Sequence, residues 1–205
     1  RNRENKLLEK YDYIIGVDEA GRGPIAGPVV CAALYFETGT TTIKNIIDSK
    51  KITSEQAREK LYQEITKSNG VHWHVSIISP SQIDELNILN ATLLGMENCI
   101  NHLVNKSNSF YSLIDGNKKP KNIDCPCETI VKGDGKEYII AAASILAKVT
   151  RDRLMNKLEL IYTDFSFSQH KGYPTKKHKE EIEKNGILEI HRKTFRPIKD
   201  YLKKI

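Results

Sequence analysis

The chain has 205 residues, of which 39% are hydrophobic and 28% charged, and it carries a net charge of +6. This length fits one domain with or without an appendage, and the composition excludes disordered and collagen-like proteins. The longest apolar runs are far shorter than the ~20 residues of a membrane helix, so we expect no membrane-spanning segment. The four cysteines lack the two close pairs of a zinc site, and we expect reduced thiols in a cytoplasmic protein.

The first part of the chain predicts three strands and a helix. Apolar or alternating runs typical of strands occupy Tyr13–Val17, Val29–Phe36 and His72–Ile78. Residues 1–10 are polar, and we expect them to be a frayed lead-in. Thr53 and Gln56 form a capping-box pattern that opens a helix ending near Lys67.

The second part of the chain predicts helices, two further strands and a long helix. A helix begins at Ser79–Pro80 and either continues or restarts over residues 90–104. Two short strands and a long Ala-rich helix follow at Ser109–Ile114, Glu128–Val131 and Tyr138–Ile161. Because the early strands can pair as hairpins instead of alternating strictly with helices, the order of elements predicts a mixed α/β fold.

The net positive charge lies entirely in the C-terminal segment, which we expect to be helical. Residues 171–205 contain 11 Lys and Arg against 5 Asp and Glu, whereas residues 1–170 contain 21 of each. A neutral body with a basic tail favours an anionic partner, and a nucleic acid is one such partner.

A glycine-rich stretch follows the first predicted strand. Residues 21–26 formally match the dinucleotide fingerprint G-x-G-x-x-G/A. That motif requires a helix to begin on its glycines, but Pro24 and Pro28 flank a short turn that runs into the next strand. We therefore do not expect a nucleotide cofactor here.

Acidic residues recur at the ends of predicted elements. Asp18 and Glu19 follow the first strand, Asp115 ends the fourth, and Asp134 lies between glycines just before the long helix. One such residue is typical of a turn or a solvated strand end. If the first and fourth strands are parallel neighbours, however, Asp18 and Asp115 meet at one sheet end and Asp134 can complete the cluster. The role of Glu19 stays open, because successive strand residues point to opposite faces.

Such a cluster favours a particular cofactor and reaction. Carboxylate oxygens without His or Cys select Mg²⁺ or Mn²⁺ over zinc. Two such ions sharing a carboxylate are typical of phosphodiester hydrolysis, a reaction that also suits a chain with a basic tail.

The residues 16–28 resemble the signature of the prokaryotic type 2 ribonucleases H, the ribonuclease HII family. The resemblance covers residues 13–198 and continues in ordered blocks at Asp48–Thr53, Ile83–Thr92, Ile114–Asn117, Lys132–Lys136, Ile140–Asp152, His170–Thr175 and His191–Phe195. It implies an α/β ribonuclease H-like fold, with a mixed five-stranded sheet flanked by helices. It also implies a catalytic domain at residues 1–165 and a basic helical extension at residues 166–205 that contributes to substrate binding.

The resemblance also assigns roles to individual residues. It makes Asp18, Glu19, Asp115 and Asp134 the catalytic residues and the ligands of two Mg²⁺ or Mn²⁺ ions. It implies that Gly21, Arg22 and Gly23 contact the 2′-OH and phosphates where a ribonucleotide meets a deoxyribonucleotide, and that Tyr173 packs on the deoxyribose. Further expected phosphate contacts, for which a solvated helix face is the alternative, are Lys50, Lys51, Ser144, Lys148 and Arg151.

The activity implied by the resemblance is hydrolysis of the RNA strand of RNA/DNA hybrids and cleavage 5′ of single ribonucleotides in duplex DNA, leaving 3′-OH and 5′-phosphate ends. We expect a monomer without a clamp-binding peptide at its C-terminus. Asp124 is the one acid that could be confused with Asp134. The alternatives are another two-metal nuclease or strand transferase of the same fold, and a hybrid-binding protein without catalysis.

Overall fold

The computed structural model describes residues 2–40, 42–44, 46 and 54–203. Its strands are β1 (Tyr13–Ala20), β2 (Val29–Phe36), β3 (Val71–Ile78), β4 (Phe110–Asp115) and β5 (Cys127–Ile130). Its helices are α1 (Asn2–Leu8), α2 (Glu55–Lys67), α3 (Pro80–Leu86), α4 (Ile88–Leu103), α5 (Tyr138–Ile161), α6 (Phe167–His170), α7 (Lys176–Asn185) and α8 (Ile198–Leu202), and Gly133–Gly135 forms a 3₁₀ turn. None of the helices in these described ranges is long and apolar enough to cross a bilayer.

The five strands form one mixed sheet in the order β3-β2-β1-β4-β5. β1 pairs antiparallel with β2, and β2 pairs antiparallel with β3. β1 also pairs in parallel with β4, and β4 pairs in parallel with β5. The predicted mixed five-stranded sheet flanked by helices is therefore confirmed.

Helices cover both faces of the sheet. The α5 face packs Ile14, Leu34 and Leu113 of the sheet against the Ala-rich side of α5. The opposite face packs Ile15 and Val17, among others, against α4. Because side chains alternate along a strand, neighbouring apolar residues of β1 fill two separate cores.

β1 is three residues longer than the sequence predicted. Asp18, Glu19 and Ala20 were expected to follow the strand, but they continue its antiparallel ladder opposite Ala32, Cys31 and Val30 of β2. On the other side of β1 the parallel pairing ends at Val17. The acidic residues therefore lie on paired backbone, which fixes their directions.

The N-terminal residues form a helix and are not a frayed lead-in. Glu4 of α1 is 7% exposed, and its carboxylate accepts a hydrogen bond of 2.9 Å from the backbone amide of Ile139. Arg3 donates to the carboxylates of Glu128 and Glu137. Glu4 thus caps an amide in the first turn of α5 that has no partner within the helix. Glu4 and Ile139 are far apart in the sequence, so the sequence near α5 does not reveal this contact.

Side chains cap the N-termini of α2, α3 and α4. α3 begins where predicted, at Ser79–Pro80, and Ser79 caps it through a capping box with Gln82. Asn87 then ends α3 with a φ of 65° and caps α4, so the helix restarts. The cap of α2 is Ser54, which accepts from the amide of Ala57. The cap predicted at Thr53 lies outside the described residues.

The C-terminal segment, together with Phe165 and Phe167 just before it, packs on the body through a separate hydrophobic cluster. Phe165, Phe167 and Ile182 pack with Ile25 and Met155 of the body. This cluster joins the segment to the loop that follows β1, so the segment is seated on the loop through apolar contacts.

Two buried histidines inside this segment form a directed chain of hydrogen bonds. His178 and His191 are both 0% exposed. Nδ1 of His178 donates to the carbonyl of Tyr173 at 2.9 Å, which leaves its Nε2 to accept from Nε2 of His191 at 3.1 Å. Nδ1 of His191 accepts from the amide of Leu188. Each ring satisfies this chain only when it is neutral.

These histidines predict acid sensitivity. Burial lowers the pKa of His178 and of His191 to about 4 each, below the ~6.5 of an unfolded histidine. The unfolded chain binds more protons between these values, so their contribution to stability is full above about pH 6.5 and is lost as the pH falls towards 4. We expect a loss of up to about 1 kcal/mol per pH unit for each histidine.

Urea unfolding of the wild type and of His191→Gln at pH 7, 6 and 5 measures this loss. Glutamine keeps an N–H donor for His178 but does not ionise, so His191→Gln should lose less stability on acidification. His102→Gln, at an exposed position, is the matched control. An equal loss in wild type and His191→Gln would contradict the interpretation.

Candidate active site

Three carboxylates converge at one end of the sheet. Asp18, Glu19 and Asp115 each place a carboxylate oxygen within 4.8 Å of the other two. They line an open cleft of about 430 Å³ together with Gly116, Asn117, Val131, Lys132, Asp134 and Ser144. All four acids that the sequence singled out therefore border one cleft, and three of them lie close enough to share a ligand.

The parallel pairing of β1 with β4 brings these residues together. Val17 lies opposite Ile114, so Asp18 and Asp115 are the next residues along two strands that run in the same direction. Each lies on the face of its strand that packs against α5, as Ile14 and Leu113 do. The sequence placed Asp18 beside Asp115 only if β1 and β4 were parallel neighbours, and the structure shows this pairing.

Glu19 reaches the cluster although it leaves β1 on the opposite face. The carboxylate of Asp18 bends back to accept a hydrogen bond of 2.7 Å from the amide of Glu19. The longer glutamate side chain extends around the end of the sheet, where β4 no longer flanks β1. Alternation along the strand therefore does not keep the two carboxylates apart.

Asp134 borders the cleft but lies outside the group of three. It follows Gly133, whose amide donates a hydrogen bond of 2.6 Å to the carboxylate of Asp115. This bond ties the 3₁₀ turn to the end of β4. Asp134 itself is 7% exposed at the start of that turn.

The cluster is electrostatically unfavourable by itself. Burial raises the pKa of Asp18 well above its usual value, and the nearby charges of Glu19 and Asp115 raise it further. Burial also raises the pKa of Glu19, although Arg22, with Nη1 3.4 Å from the Glu19 carboxylate, opposes that shift. A bound cation would relieve both the desolvation and the mutual repulsion of these acids.

The Gly-Arg-Gly loop and Tyr173 lie side by side next to the cleft. A Cβ atom on Gly23 would lie 3.4 Å from the Tyr173 ring, which is 44% exposed. Gly21 adopts a φ of 98°, and a Cβ there would collide with the Arg151 side chain. The loop runs into β2 without a helix, as predicted. Glycine at both positions thus allows close approach.

The remaining predicted substrate contacts have different surroundings. Arg151 is 1% exposed, and its guanidinium donates to the carbonyls of Pro28, Lys171 and Ala26. That burial does not support the expectation that Arg151 contacts a phosphate, because its donors already bind the backbone.

Ser144, Lys148, Lys50 and Lys51 complete the predicted contacts. Ser144 lines the acidic cleft. Lys148 is 38% exposed and pairs with Asp152 at 2.7 Å, one turn further along α5. Lys50 and Lys51 lie outside the described residues.

Asp124 is not part of the acidic cleft. It lines a separate cleft with Cys125 and Pro126, and its backbone amide donates to Asn101. Of the two acids, Asp134 therefore borders the acidic cleft and Asp124 does not.

Arg192 contacts the Gly-Arg-Gly loop, although its sequence pattern predicted no role for it. Its buried guanidinium binds the carbonyls of Gly21, Arg22 and Gly27. Its place in the His191–Phe195 block was the only signal, because a sequence does not reveal whether an arginine in a basic tail is buried.

The donor set fits a divalent metal. Converging carboxylate oxygens without His or Cys are the ligands of Mg²⁺ and Mn²⁺. The protein has a mixed sheet with helices on both faces and an acidic cleft at the ends of adjacent parallel strands. These features define its class: a protein with the α/β fold of the ribonucleases H.

Comparisons with known proteins agree with this class. Residues 15–198 match the model of the family described as ribonuclease HII. Ribonuclease HII of Bacillus mycoides is 49% identical over 202 residues, covering 98% of this chain and 76% of the relative. Ribonuclease HII of Francisella tularensis subsp. novicida is 49% identical over 185 residues, covering 90% of this chain and 97% of the relative.

A solved structure shows the same fold. The crystal structure of ribonuclease H2 from Pyrococcus horikoshii matches with a TM-score of 0.72 at 26% identity, covering 94% of this chain and 98% of that one. The chain belongs to the ribonuclease HII family. It is therefore a type 2 ribonuclease H, an endonuclease of a divalent-metal-dependent family with ribonuclease H activity on RNA/DNA hybrids.

The repulsion within the cluster predicts that neutralising Asp18 stabilises the metal-free protein. We expect Asp18→Asn to raise the free energy of unfolding in EDTA by about 0.5–2 kcal/mol, because asparagine still accepts from the Glu19 amide but carries no charge. Millimolar Mg²⁺ or Mn²⁺ should raise the Tm of the wild type and leave that of Asp18→Asn nearly unchanged.

Thermal melts with and without the ions test this prediction. Asp124→Asn removes an exposed carboxylate outside the cleft and is the matched control, expected to respond to the ions as the wild type does. A lower Tm for Asp18→Asn in EDTA, or an undiminished response to the ions, would contradict the assignment.

Proposed function

We propose that this chain cleaves the RNA strand of RNA/DNA hybrids and also cuts duplex DNA on the 5′ side of a single ribonucleotide. The products carry 3′-OH and 5′-phosphate ends, and the reaction uses two divalent ions, Mg²⁺ or Mn²⁺. The cut leaves the ribonucleotide at the 5′ end of the downstream fragment and so begins its removal from DNA.

One observation carries the proposal: the three-carboxylate cluster lies beside a loop and a tyrosine suited to reading a sugar. The acids and the Gly-Arg-Gly loop are only one residue apart, since Ala20 alone separates Glu19 from Gly21. Tyr173 packs at Gly23 on the far side of that loop. A sugar held at the loop would present its phosphate to the carboxylates.

Each acid has a role in this proposal. Asp18 is the most buried of the three clustered acids and the best placed to bridge two ions. Asp115 and Asp134 flank it on the α5 side, with Asp115 oriented by the Gly133 amide. Glu19 contributes from the opposite face of β1 and is the acid that Arg22 partly neutralises.

Bound at these acids, divalent ions supply activation of the attacking water and stabilisation of the leaving oxygen. The protein itself holds the carboxylates in place on paired backbone. The buried Arg151 guanidinium is engaged by backbone carbonyls and does not pair with these acids.

Recognition of the ribonucleotide falls to the loop and to Tyr173. The 2′-OH is the group that distinguishes RNA from DNA at one sugar, and backbone amides can contact it only where the chain approaches closely. Gly21 and Gly23 permit that approach. The half-exposed Tyr173 ring offers a flat surface for the adjacent deoxyribose.

We further propose that residues 1–165 form the catalytic domain and that residues 166–205 form the extension that binds the duplex. The lysines of α7 support this division. Lys176, Lys177, Lys179 and Lys184 are exposed, whereas Ile182 of the same helix packs inward. The extension thus exposes these four lysines, interspersed with Glu180 and Glu183, and makes its apolar contact through Ile182.

The activity test uses a DNA duplex containing one ribonucleotide beside an all-DNA duplex, each incubated with Mg²⁺. We expect cleavage 5′ of the ribonucleotide and none in the control, because only the first duplex offers a 2′-OH. Cleavage of both duplexes would favour a general two-metal nuclease or strand transferase. Binding of the first duplex without cleavage would favour a protein that only binds hybrids.

The same assay on variants of Asp134 and Asp124 tests which of these acids is catalytic. Asp134→Asn should reduce kcat by at least about 10²-fold with little change in duplex affinity, since it alters the metal site and not the basic surface. Asp124→Asn is the matched control and should cleave as the wild type does. Near-normal cleavage by Asp134→Asn in Mg²⁺ would exclude it from the catalytic set.

The basic extension predicts salt-dependent affinity. Replacing Lys176, Lys177, Lys179 and Lys184 of α7 by Gln should flatten the slope of log Kd against log salt by about 0.9 for each lysine that contacts a phosphate. Fluorescence anisotropy at several salt concentrations measures the slope.

A matched variant removes the same number of exposed lysines from the body. Replacing Lys6, Lys10, Lys60 and Lys67 by Gln lowers the net charge equally but leaves the extension unchanged. If both variants flatten the slope to the same degree, total charge and not the extension determines the affinity.

A further inference from the structure

Arg192 is a fully buried cation that binds the Gly-Arg-Gly loop from behind. Its side chain is 0% exposed. Nη2 donates to the carbonyl of Gly21 at 2.6 Å and Nη1 to the carbonyl of Arg22 at 2.9 Å. Nε donates to the carbonyl of Gly27 at 3.0 Å. One guanidinium therefore holds both ends of the turn between β1 and β2.

The buried charge of Arg192 is balanced by carbonyls. Among the described residues, no carboxylate forms an ion pair with Arg192, and its donors are used on the backbone. Burying a charge is costly unless its donors are satisfied, so a rearranged loop would leave the guanidinium unsatisfied. Arg192 thus penalises alternative conformations of the loop.

The directions of the carbonyls determine the directions of the amides. In a trans peptide plane, the C=O of one residue and the N–H of the next point in opposite directions. Because the carbonyls of Gly21 and Arg22 both point at Arg192, the amides of Arg22 and Gly23 both point away from it. Within the described part of the chain, neither amide donates a hydrogen bond to protein.

We propose that Arg192 is a positioning residue for ribonucleotide recognition: it turns the amides of Arg22 and Gly23 outward to bind the 2′-OH and the adjacent phosphate. Two successive outward amides form a concave donor site for an anion or hydroxyl oxygen. This inference rests on the proposed function of the Gly-Arg-Gly loop and adds the residue that sets the loop's orientation.

The guanidinium is itself held in place by its neighbours. The Arg192 amide donates to the carbonyl of Ile25, and the guanidinium lies 5.1 Å from the centre of the Phe195 ring. The next two residues are tied to α3, since the amides of Lys193 and Thr194 donate to the carboxylate of Asp84. The Asp84 contact therefore keeps this segment against the body.

Lysine would keep the charge of Arg192 but not its geometry. The guanidinium places donors in a rigid planar fork that reaches three carbonyls at once, whereas an ammonium is a single point of charge on a flexible stem. Arg192→Lys should therefore leave the buried position occupied while loosening the carbonyls of Gly21 and Arg22.

The test measures how strongly the protein prefers a duplex with one ribonucleotide over an all-DNA duplex. For wild type and Arg192→Lys, Kd is measured by anisotropy with Ca²⁺ replacing Mg²⁺, for an all-DNA duplex and for the same duplex with one ribonucleotide. We expect the ratio of the two Kd values to fall about tenfold in Arg192→Lys, corresponding to two weakened hydrogen bonds. A variant that only lost folded fraction would weaken both affinities equally and keep the ratio.

Arg153→Lys is the matched control. Arg153 lies on α5, is 44% exposed, and pairs with Glu59 of α2 away from the loop. Its ratio should equal that of the wild type. A wild-type ratio in Arg192→Lys would overturn the inference, whereas a wild-type protein that does not distinguish the duplexes would instead overturn the proposed function.

Hydrogen exchange of the wild-type protein gives a second measurement that does not depend on the variant folding. The amides of Arg22 and Gly23 should exchange rapidly in the free protein and become protected with the ribonucleotide-containing duplex more than with the all-DNA duplex. Slow exchange in the free protein, or equal protection by both duplexes, would show that these amides do not face the substrate.

Discussion

The mutual repulsion of Asp18, Glu19 and Asp115 is the constraint around which the structure is arranged. These carboxylates remain within 4.8 Å of one another because the strands that carry them are fixed by hydrophobic layers on both faces of the sheet. The parallel ladder of β1 and β4 ends one residue before the acids, so the rigid part of the sheet delivers them to its edge. Folding energy from the two cores therefore offsets the cost of holding like charges together.

The buried arginines near the acidic cluster do not neutralise it. Arg151 and Arg192 are buried near the loop that follows the acids, yet both direct their guanidinium groups at backbone carbonyls. Among the basic residues in the described ranges, Arg22 alone is paired with an acid of the cluster, Glu19, and it is 48% exposed. An arginine paired with Asp18 would compete with a metal ion for the same oxygens. Directing the buried arginines to carbonyls gives the loop its shape and leaves the acidic cluster negative.

Much of the fold could be predicted because its signals are local. The apolar run of β2 and the periodic Ala-rich pattern of α5 are visible directly in the sequence, and Ser79–Pro80 marked a helix start. The acids were also predictable, since each follows or precedes an apolar element. What failed depends on contacts between distant residues: Glu4 caps α5 across 135 positions, and Asp18 extends β1 only because β2 continues beside it.

The direction of arginine side chains was likewise beyond sequence reasoning. Arg151 follows Lys148 on α5, and both read as basic residues on one helix face. The structure buries the first and exposes the second, because the loop after β1 crosses α5 at Arg151. Charge on a helix does not reveal whether water or a carbonyl solvates it.

Backbone hydrogen bonds attach the basic extension to the loop that follows β1. The charge of the extension indicates only that it attracts an anionic partner, but the backbone of Ile25 bonds both to Gly172 and to Arg192 of the extension. The carbonyl of Tyr173 is held in turn by the buried His178. The extension and the Gly-Arg-Gly loop are therefore joined by backbone hydrogen bonds at Ile25, and the Tyr173 ring lies against Gly23. Under the proposed function, a duplex attracted by the exposed lysines would meet a sugar-reading surface that is already assembled, and little ordering energy would be lost on binding.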